Sequence, residues 1–419
     1  MAVARAHTRP SRATSGERGP RPEKVLIVAV TALVCFGIVM VYSASSASAL
    51  LTHGDPKGQV VRQALYALVG VGAYLAATRM RVAGLRRLGP AAMVISLVLL
   101  VLVLIPGIGV AVDGLGRLDP LGPLGSIQPS ELAKLALVLW IAQLAASRPR
   151  ALREFRGLLP YFGALALIGL LVLLEPDMDG IVVLGAVVVA MLAIAGARPA
   201  HLAAISLAGM LPALIMIVAE PYRRDRFIAF FDQTTHASAV GYQALQAKIA
   251  FGVGGITGVG LGDGVQKASY LPEASTDMIL ATVGEELGLL GVILLICGFA
   301  AFAYAGFRIA LGAPDLHQQL LAAGITVMVV VQAIINMGAV LGIIPVAGLT
   351  LPFVSFGGSS LIILLACTGI LVNIARRSST ATHVDRIVPA DAGDDRRRRD
   401  GRPRDARVGG GRRAAGARG

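Results

Sequence analysis

Charge is scarce in this chain: only 15% of its 419 residues are Asp, Glu, Lys or Arg, where a soluble globular domain carries about 25%. Aromatics make up 5%, with a single Trp, and cysteine occurs three times. Cys35, Cys297 and Cys367 fall inside apolar segments without metal-ligand spacing, which leaves packing as their role and implies no disulfide framework. Scarce charge, 55% hydrophobic residues and a mean hydropathy of +0.73 exclude a soluble domain of this length. The chain reads as a polytopic membrane protein.

A formal net charge of +13 nevertheless remains. Eleven of those charges sit at the ends: residues 1–24 hold six Arg/Lys against two Glu, and residues 376–419 hold thirteen Arg against six Asp. A run such as Arg396-Arg397-Arg398-Arg399 would suit RNA, anionic lipid or a protein partner. Beside a membrane span its common use is attraction to the cytoplasmic leaflet, so membrane lipid is the expected partner and nucleic acid is not. Residues 1–24 and 378–419 lack the apolar side chains that offset folding entropy and are expected to be disordered tails around a membrane domain, 25–377. The first apolar run, near 25–42, is long for a signal-peptide core and has no convincing cleavage site after it. It is expected to stay as the first span.

A spanning helix needs about 20 mostly apolar residues. By that measure ten segments qualify: 25–44, 61–78, 90–106, 131–147, 157–174, 180–197, 201–219, 278–305, 318–341 and 359–375. The expected fold is therefore all-α, with ten transmembrane helices and a large outer loop between spans seven and eight. Arginines cluster after spans two, four, six, eight and ten, for example Arg79, Arg150, Arg198, Arg308 and Arg376, which places those loops and both termini in the cytoplasm. The outer segments are then 45–60, 107–130, 175–179, 220–277 and 342–358, and the fourth is long enough to have structure of its own.

Polar residues concentrate on that outer face. The segment Tyr270-Leu271-Pro272-Glu273-Ala274-Ser275-Thr276-Asp277 opens directly into an apolar run containing Glu285 and Glu286. Ionisable groups at the edge of hydrocarbon are costly unless they face a polar cavity, so each is a functional candidate. Glu131 and Lys134 are three apart at the start of span four, close enough to pair, which fits either a capped helix or a site. Glu175, Asp177 and Asp179 crowd one turn and repel unless a cation is near. The run from Gly252 to Lys267 is rich in glycine, which suits backbone approach to an anion or close packing of helices. Gln332 and Asn336 suit hydrogen bonds between helices, and the last outer segment, with Pro345, Pro352, Ser355 and Ser359, reads as a cavity wall.

Five stretches together resemble a known family: Val41-Tyr42-Ser43-Ala44-Ser45, Gln128-Pro129-Ser130-Glu131 with Lys134, Glu175-Pro176-Asp177, residues 270–277 continuing to Gly288, and Leu351-Pro352-Phe353-Val354-Ser355-Phe356-Gly357-Gly358-Ser359-Ser360. The family is that of the polytopic peptidoglycan glycosyltransferases of shape, elongation, division and sporulation, and the resemblance covers about residues 25–377. It implies polymerisation of lipid II on the outer face of the bacterial cytoplasmic membrane, beside a class B penicillin-binding protein and other divisome proteins. It also implies that Asp277 is the essential acid, as general base or as organiser of a divalent cation, Mg²⁺ or Mn²⁺. Arg117, Glu131, Lys134, Arg226, Gln243, Lys267 and Glu273 take the accompanying motif positions, with Arg117, Arg226 and Lys267 candidates for pyrophosphate contact; Ser355 and Ser359 are candidates from the wall. Ser275, Leu118 and Phe356 depart from the usual His, Trp and Tyr. The Tyr-Leu-Pro-Glu-Ala form and the charged tail are closer to the branch serving division than to that serving elongation. A lipid flippase and a non-catalytic division scaffold are the competing readings.

Overall fold

The computed structural model describes residues 21–51, 57–106, 109–112, 115–118, 127–175, 177–219, 224, 227–228, 230–231 and 239–387. Its helices are α1 (Pro22–Leu51), α2 (Gly58–Arg79), α3 (Val82–Val103), α4 (Pro129–Ser147), α5 (Phe155–Leu174), α6 (Met178–Ile194), α7 (Pro199–Ala219), α8 (Ala239–Gly254), α9 (Gln266–Ser269), α10 (Ile279–Glu286), α11 (Gly288–Leu311), α12 (Leu316–Val340) and α13 (Gly358–Ile387). Eight of these, α1 to α5 and α11 to α13, contain apolar stretches long enough to cross a membrane, while α6 and α7 supply the shorter stretches Asp179–Ile194 and Pro199–Met210. Nine of the ten expected spans thus overlap one apolar helix each and the eighth overlaps two, while eight helices among the described residues have the length and composition to cross. Helix α1 begins at Pro22 and α13 runs to Ile387, so helix reaches into stretches expected as tails; residues 1–20 and 388–419 lie outside the described residues.

Among the described residues the strands form one ribbon, β1 (Gly109–Val112) and β2 (Leu115–Leu118), paired antiparallel with Val110 opposite Arg117. Leu118 exchanges backbone bonds with Ile127 (2.9 and 2.7 Å), which returns the chain to the start of α4. There Pro129 occupies the first turn, where its missing N–H costs no hydrogen bond.

Burial sorts the helices into layers. The spanning stretches of α4, α12 and α13 are 67%, 72% and 72% buried, whereas those of α1, α2, α3, α5 and α11 are at most 39% buried. The first three form the centre and the others present apolar side chains outward, as a bilayer requires. At the end opposite the site, Asn373 Nδ2 donates to Ala77 O (2.8 Å) and Met80 O (2.7 Å), and Arg376 pairs with Glu23 at 2.7 Å.

The eighth expected span, 278–305, is not one helix. It breaks at Gly288 (φ +63°) into the eight-residue α10, buried throughout, and the longer α11. A break inside protein leaves backbone groups to satisfy, and the glycine-rich run does so. Val259 N and Gly260 N donate to the carbonyls of Glu285 and Glu286 (3.0 and 3.1 Å), while Leu289 N and Leu290 N donate to Gly255 O and Ile256 O (3.0 and 3.2 Å). A Cβ at Gly258 (φ +80°) would strike Glu286 O, and one at Gly288 would strike Gly258 N. Of the two uses open to these glycines, the described residues display close packing.

Candidate active site

Residues 270–278 approach α10 through consecutive turns. Leu271, Ala274 and Met278 are buried and anchor the segment, leaving Asp277 partly exposed and Glu273 exposed. Glu273 holds φ +56°, a left-handed conformation rare for a residue with a Cβ, and its carbonyl takes the amides of Thr276 and Met278, both at 3.1 Å. The reversal brings two carboxylates to one hydroxyl: Thr276 Oγ1 lies 2.6 Å from Glu273 Oε2 and 3.0 Å from Asp277 Oδ1. Glu273 and Asp277 therefore meet, as a helix would also have made them do, but through a strained turn.

Three successive carbonyls of this segment are held by other parts of the chain. Phe356 N donates to Ser275 O at 2.9 Å, Ser355 Oγ donates to Thr276 O, and Asn336 Nδ2 donates to Asp277 O at 2.8 Å. The wall that supplies Ser355 and Phe356 is itself fixed residue by residue. Gly348 N donates to Asp179 Oδ2 (2.7 Å), Leu349 O accepts from Asn336 (2.6 Å), Thr350 O accepts from Gln332 (3.0 Å), and Leu351 N donates to Ser355 Oγ (2.8 Å). Buried Gln63 adds a bond from Nε2 to Ser355 O (3.2 Å). Phe353 has φ +65°, and Gly37 of α1 packs on its carbonyl so closely that a Cβ would lie 2.8 Å away.

Behind the wall lies a buried polar node. Lys134 Nζ bonds Glu131 Oε1 at 2.7 Å and Gln332 Oε1 at 2.8 Å, and all three side chains are buried. Glu131 and Lys134 thus form an internal ion pair that steadies the wall through Gln332. The acidic turn abuts this node. Asp177 caps α6 by accepting from Gly180 N at 3.0 Å; burial raises its proton affinity, opposed by the Lys134 charge and by that bond. Burial, reinforced by Asp177, pushes Glu175 up to about 8, and Glu175 Oε1 has no hydrogen-bond partner among the described residues.

Lys267, expected as a pyrophosphate contact, is placed elsewhere. It is buried, forms an ion pair with Glu286 and donates to Ser43 Oγ (2.9 Å) and Gly262 O (2.8 Å). Glu285 accepts from Val265 N (2.7 Å) and Gln266 N (3.0 Å), capping α9. The desolvated pair braces the break between α10 and α11. Ser359 accepts from Gln128 N at 3.2 Å, linking the wall to α4, and Gln243 lies half-buried on α8. Arg117 contributes backbone to β2, but its side chain lies outside the described residues, as does all of Arg226.

Sequence reasoning gave no role to Thr276, Gln63 or Ser43. The available signal was a polar residue in an apolar helix, which fits Gln63 and Ser43; Thr276 stood inside the motif. No group of three or more His, Cys, Asp or Glu suited to a metal occurs among the described residues. Mg²⁺ is commonly held by one or two carboxylates plus phosphate oxygens and water, so the Glu273–Asp277 pair fits such a cation.

The family model described as a cell cycle protein, covering FtsW, RodA and SpoVE, matches residues 23–380. "Probable peptidoglycan glycosyltransferase FtsW" of Trichlorobacter lovleyi is 42% identical over 352 residues, 84% of this chain and 92% of that protein. "Stage V sporulation protein E" of Bacillus subtilis is 38% identical over 359 residues, 85% of this chain and 98% of that protein. A chain from a solved peptidoglycan synthase complex, described as coordinating polymerization and crosslinking, superposes with a TM-score of 0.70 at 29% identity, covering 84% of this chain and 97% of that one. The crystal structure of the rod shape determining protein RodA of Thermus thermophilus gives 0.61 at 27%, covering 84% and 96%. The match takes in the acid-bearing turn, the wall and the node behind it together, and this chain belongs to the FtsW/RodA/SpoVE family.

Proposed function

We propose that this integral membrane protein is a peptidoglycan glycosyltransferase of the FtsW type, polymerising lipid II on the outer face of the bacterial cytoplasmic membrane during septal wall synthesis. The observation that carries the reading is the partly exposed Asp277 carboxylate, held with Glu273 on the Thr276 hydroxyl by a backbone fixed at three successive carbonyls. The relatives named FtsW support the division branch, at 37–42% identity against 27% for the RodA crystal structure.

The chemistry follows from what the acid has to do. The 4-hydroxyl oxygen of the acceptor sugar attacks the anomeric carbon of the donor, the bond to pyrophosphate breaks, and its electron pair leaves with undecaprenyl pyrophosphate. The hydroxyl proton passes to the Asp277 carboxylate as general base. Pyrophosphate departs without protonation, so the second acid that glycosidases use is not required. Displacement in one step inverts an α-linked donor to a β-linked product. A divalent cation, Mg²⁺ or Mn²⁺, would be held by Asp277 and Glu273 and would supply positive charge for the departing pyrophosphate. Thr276 keeps the two carboxylates together, and the buried wall excludes water from the rear of the site.

The resemblance to a chain of a polymerising and crosslinking complex supports a class B penicillin-binding protein as partner. The test is reconstitution with labelled lipid II, with and without that transpeptidase. Glycan strands are expected from the wild-type chain and none from Asp277→Asn; strands at full yield from Asp277→Asn would overturn the reading, and translocation without polymer would make the chain a flippase.

A further inference from the structure

Asn336 lies near the C-terminal end of α12, four residues before Val340, and is wholly buried. A buried polar side chain on an apolar helix is costly and calls for a reason. Both Nδ2 hydrogens are used, toward Asp277 O at 2.8 Å and Leu349 O at 2.6 Å, while Oδ1 is buried with no hydrogen-bond partner among the described residues. A residue kept only for packing is better apolar, and one kept for a polar network has both ends satisfied. The use of Asn336 therefore rests in its two donors.

What those donors hold is specific. A short bond at the start of α10 runs from Ala281 N to Met278 O (2.9 Å), one residue past Asp277, and the Asp277 carbonyl is taken by Asn336. The preceding carbonyl, Thr276 O, is taken by Ser355. The two peptide planes flanking the Asp277 Cα are thus each pinned by one side chain of the C-terminal half. Fixing both planes fixes φ and ψ at Asp277, and with them the direction in which its Cβ leaves the backbone. Through Leu349, Asn336 ties that direction to the wall.

We propose that Asn336 is a positioning residue that aims the Asp277 carboxylate by clamping its carbonyl to that of Leu349, an inference that rests on Asp277 being the reacting acid. Asn336 touches no substrate in this scheme. Its effect falls on turnover and leaves substrate affinity in place.

The test uses the full chain in lipid vesicles with labelled lipid II, comparing wild type, Asp277→Asn and Asn336→Leu. Asn336→Leu is expected to lower kcat about tenfold or more with KM changed less than about threefold, since small displacements of a reacting group are expensive. A smaller folded fraction would also lower kcat, so kcat is taken per folded protein, and Asn336→Gln, which keeps both donors, is expected to recover more turnover than Asn336→Leu. Full activity in Asn336→Leu, or an equal loss in Asn336→Gln and Asn336→Leu, overturns the proposal. If Asn336→Leu does not fold, Asn336→Ala is read in the same way, and failure of both to fold makes Asn336 a folding residue and overturns it too. A wild-type chain that makes no polymer, or an Asp277→Asn chain that does, overturns the function itself. Polymer lost in Asp277→Asn and untouched in Asn336→Leu overturns only the role of Asn336.

Discussion

Two acids at the ends of apolar stretches receive opposite treatment. Asp277 keeps partial exposure and sits on a backbone held by donors, whereas Glu175 is buried with an oxygen unpartnered. Burial, with Asp177 beside it, raises Glu175 from 4.5 to about 8. The folded chain then holds a proton that the unfolded chain has released, so the Glu175 contribution to stability falls as pH rises from about 4.5 to about 8 and is level above that. Glu175→Gln is expected to flatten that decline, read as the thermal midpoint in detergent between pH 5 and 8. The acids at the threshold of hydrocarbon were legible in the sequence as candidates, because a carboxylate there has few structural excuses, and it was the family resemblance that singled out Asp277. The groups that hold it were not, since Asn336 is 59 residues away and Gln63 reaches the wall from 292 residues away. No local period encodes such pairings.

At the scale of elements, the break between α10 and α11 shows how a glycine run that could have cradled an anion instead completes a helix. Composition made 278–305 look continuous, because Gly288 is one glycine among apolar neighbours and the segment that satisfies the broken ladder lies about thirty residues earlier. Gly288→Ala places a Cβ at positive φ and against Gly258, and is expected to cost about 1–3 kcal/mol from backbone strain alone. Gly258→Ala meets Glu286 O across the same contact. Thermal unfolding of the two single variants and the double variant checks this, the double being expected to lose less than the two losses added, because both changes open one interface. Polymerisation is expected to fall with them, since α10 carries Asp277 at its entrance.

For the whole molecule, the spans were legible because hydrocarbon demands long apolar helices, and the alternating arginine loops supplied an orientation that the packing of helices does not state. Lys57, between α1 and α2, and Arg150, between α4 and α5, are both exposed. In a chain without its native cysteines, Lys57→Cys is expected to react with a membrane-impermeant thiol reagent in intact cells and Arg150→Cys only after permeabilisation; the reverse pattern would invert the topology. The eight residues of α10 have a consequence for how the chain is built. About 20 residues are needed to cross the hydrocarbon core, so α10 cannot span it alone and depends on partners supplied by the rest of the chain. Synthesis then delivers the Ser43 hydroxyl first, the Lys267 ammonium next and the Glu286 carboxylate last, nineteen residues after its cation. The anion arrives when the hydroxyl, the ammonium and the Gly262 amide that bind it already exist.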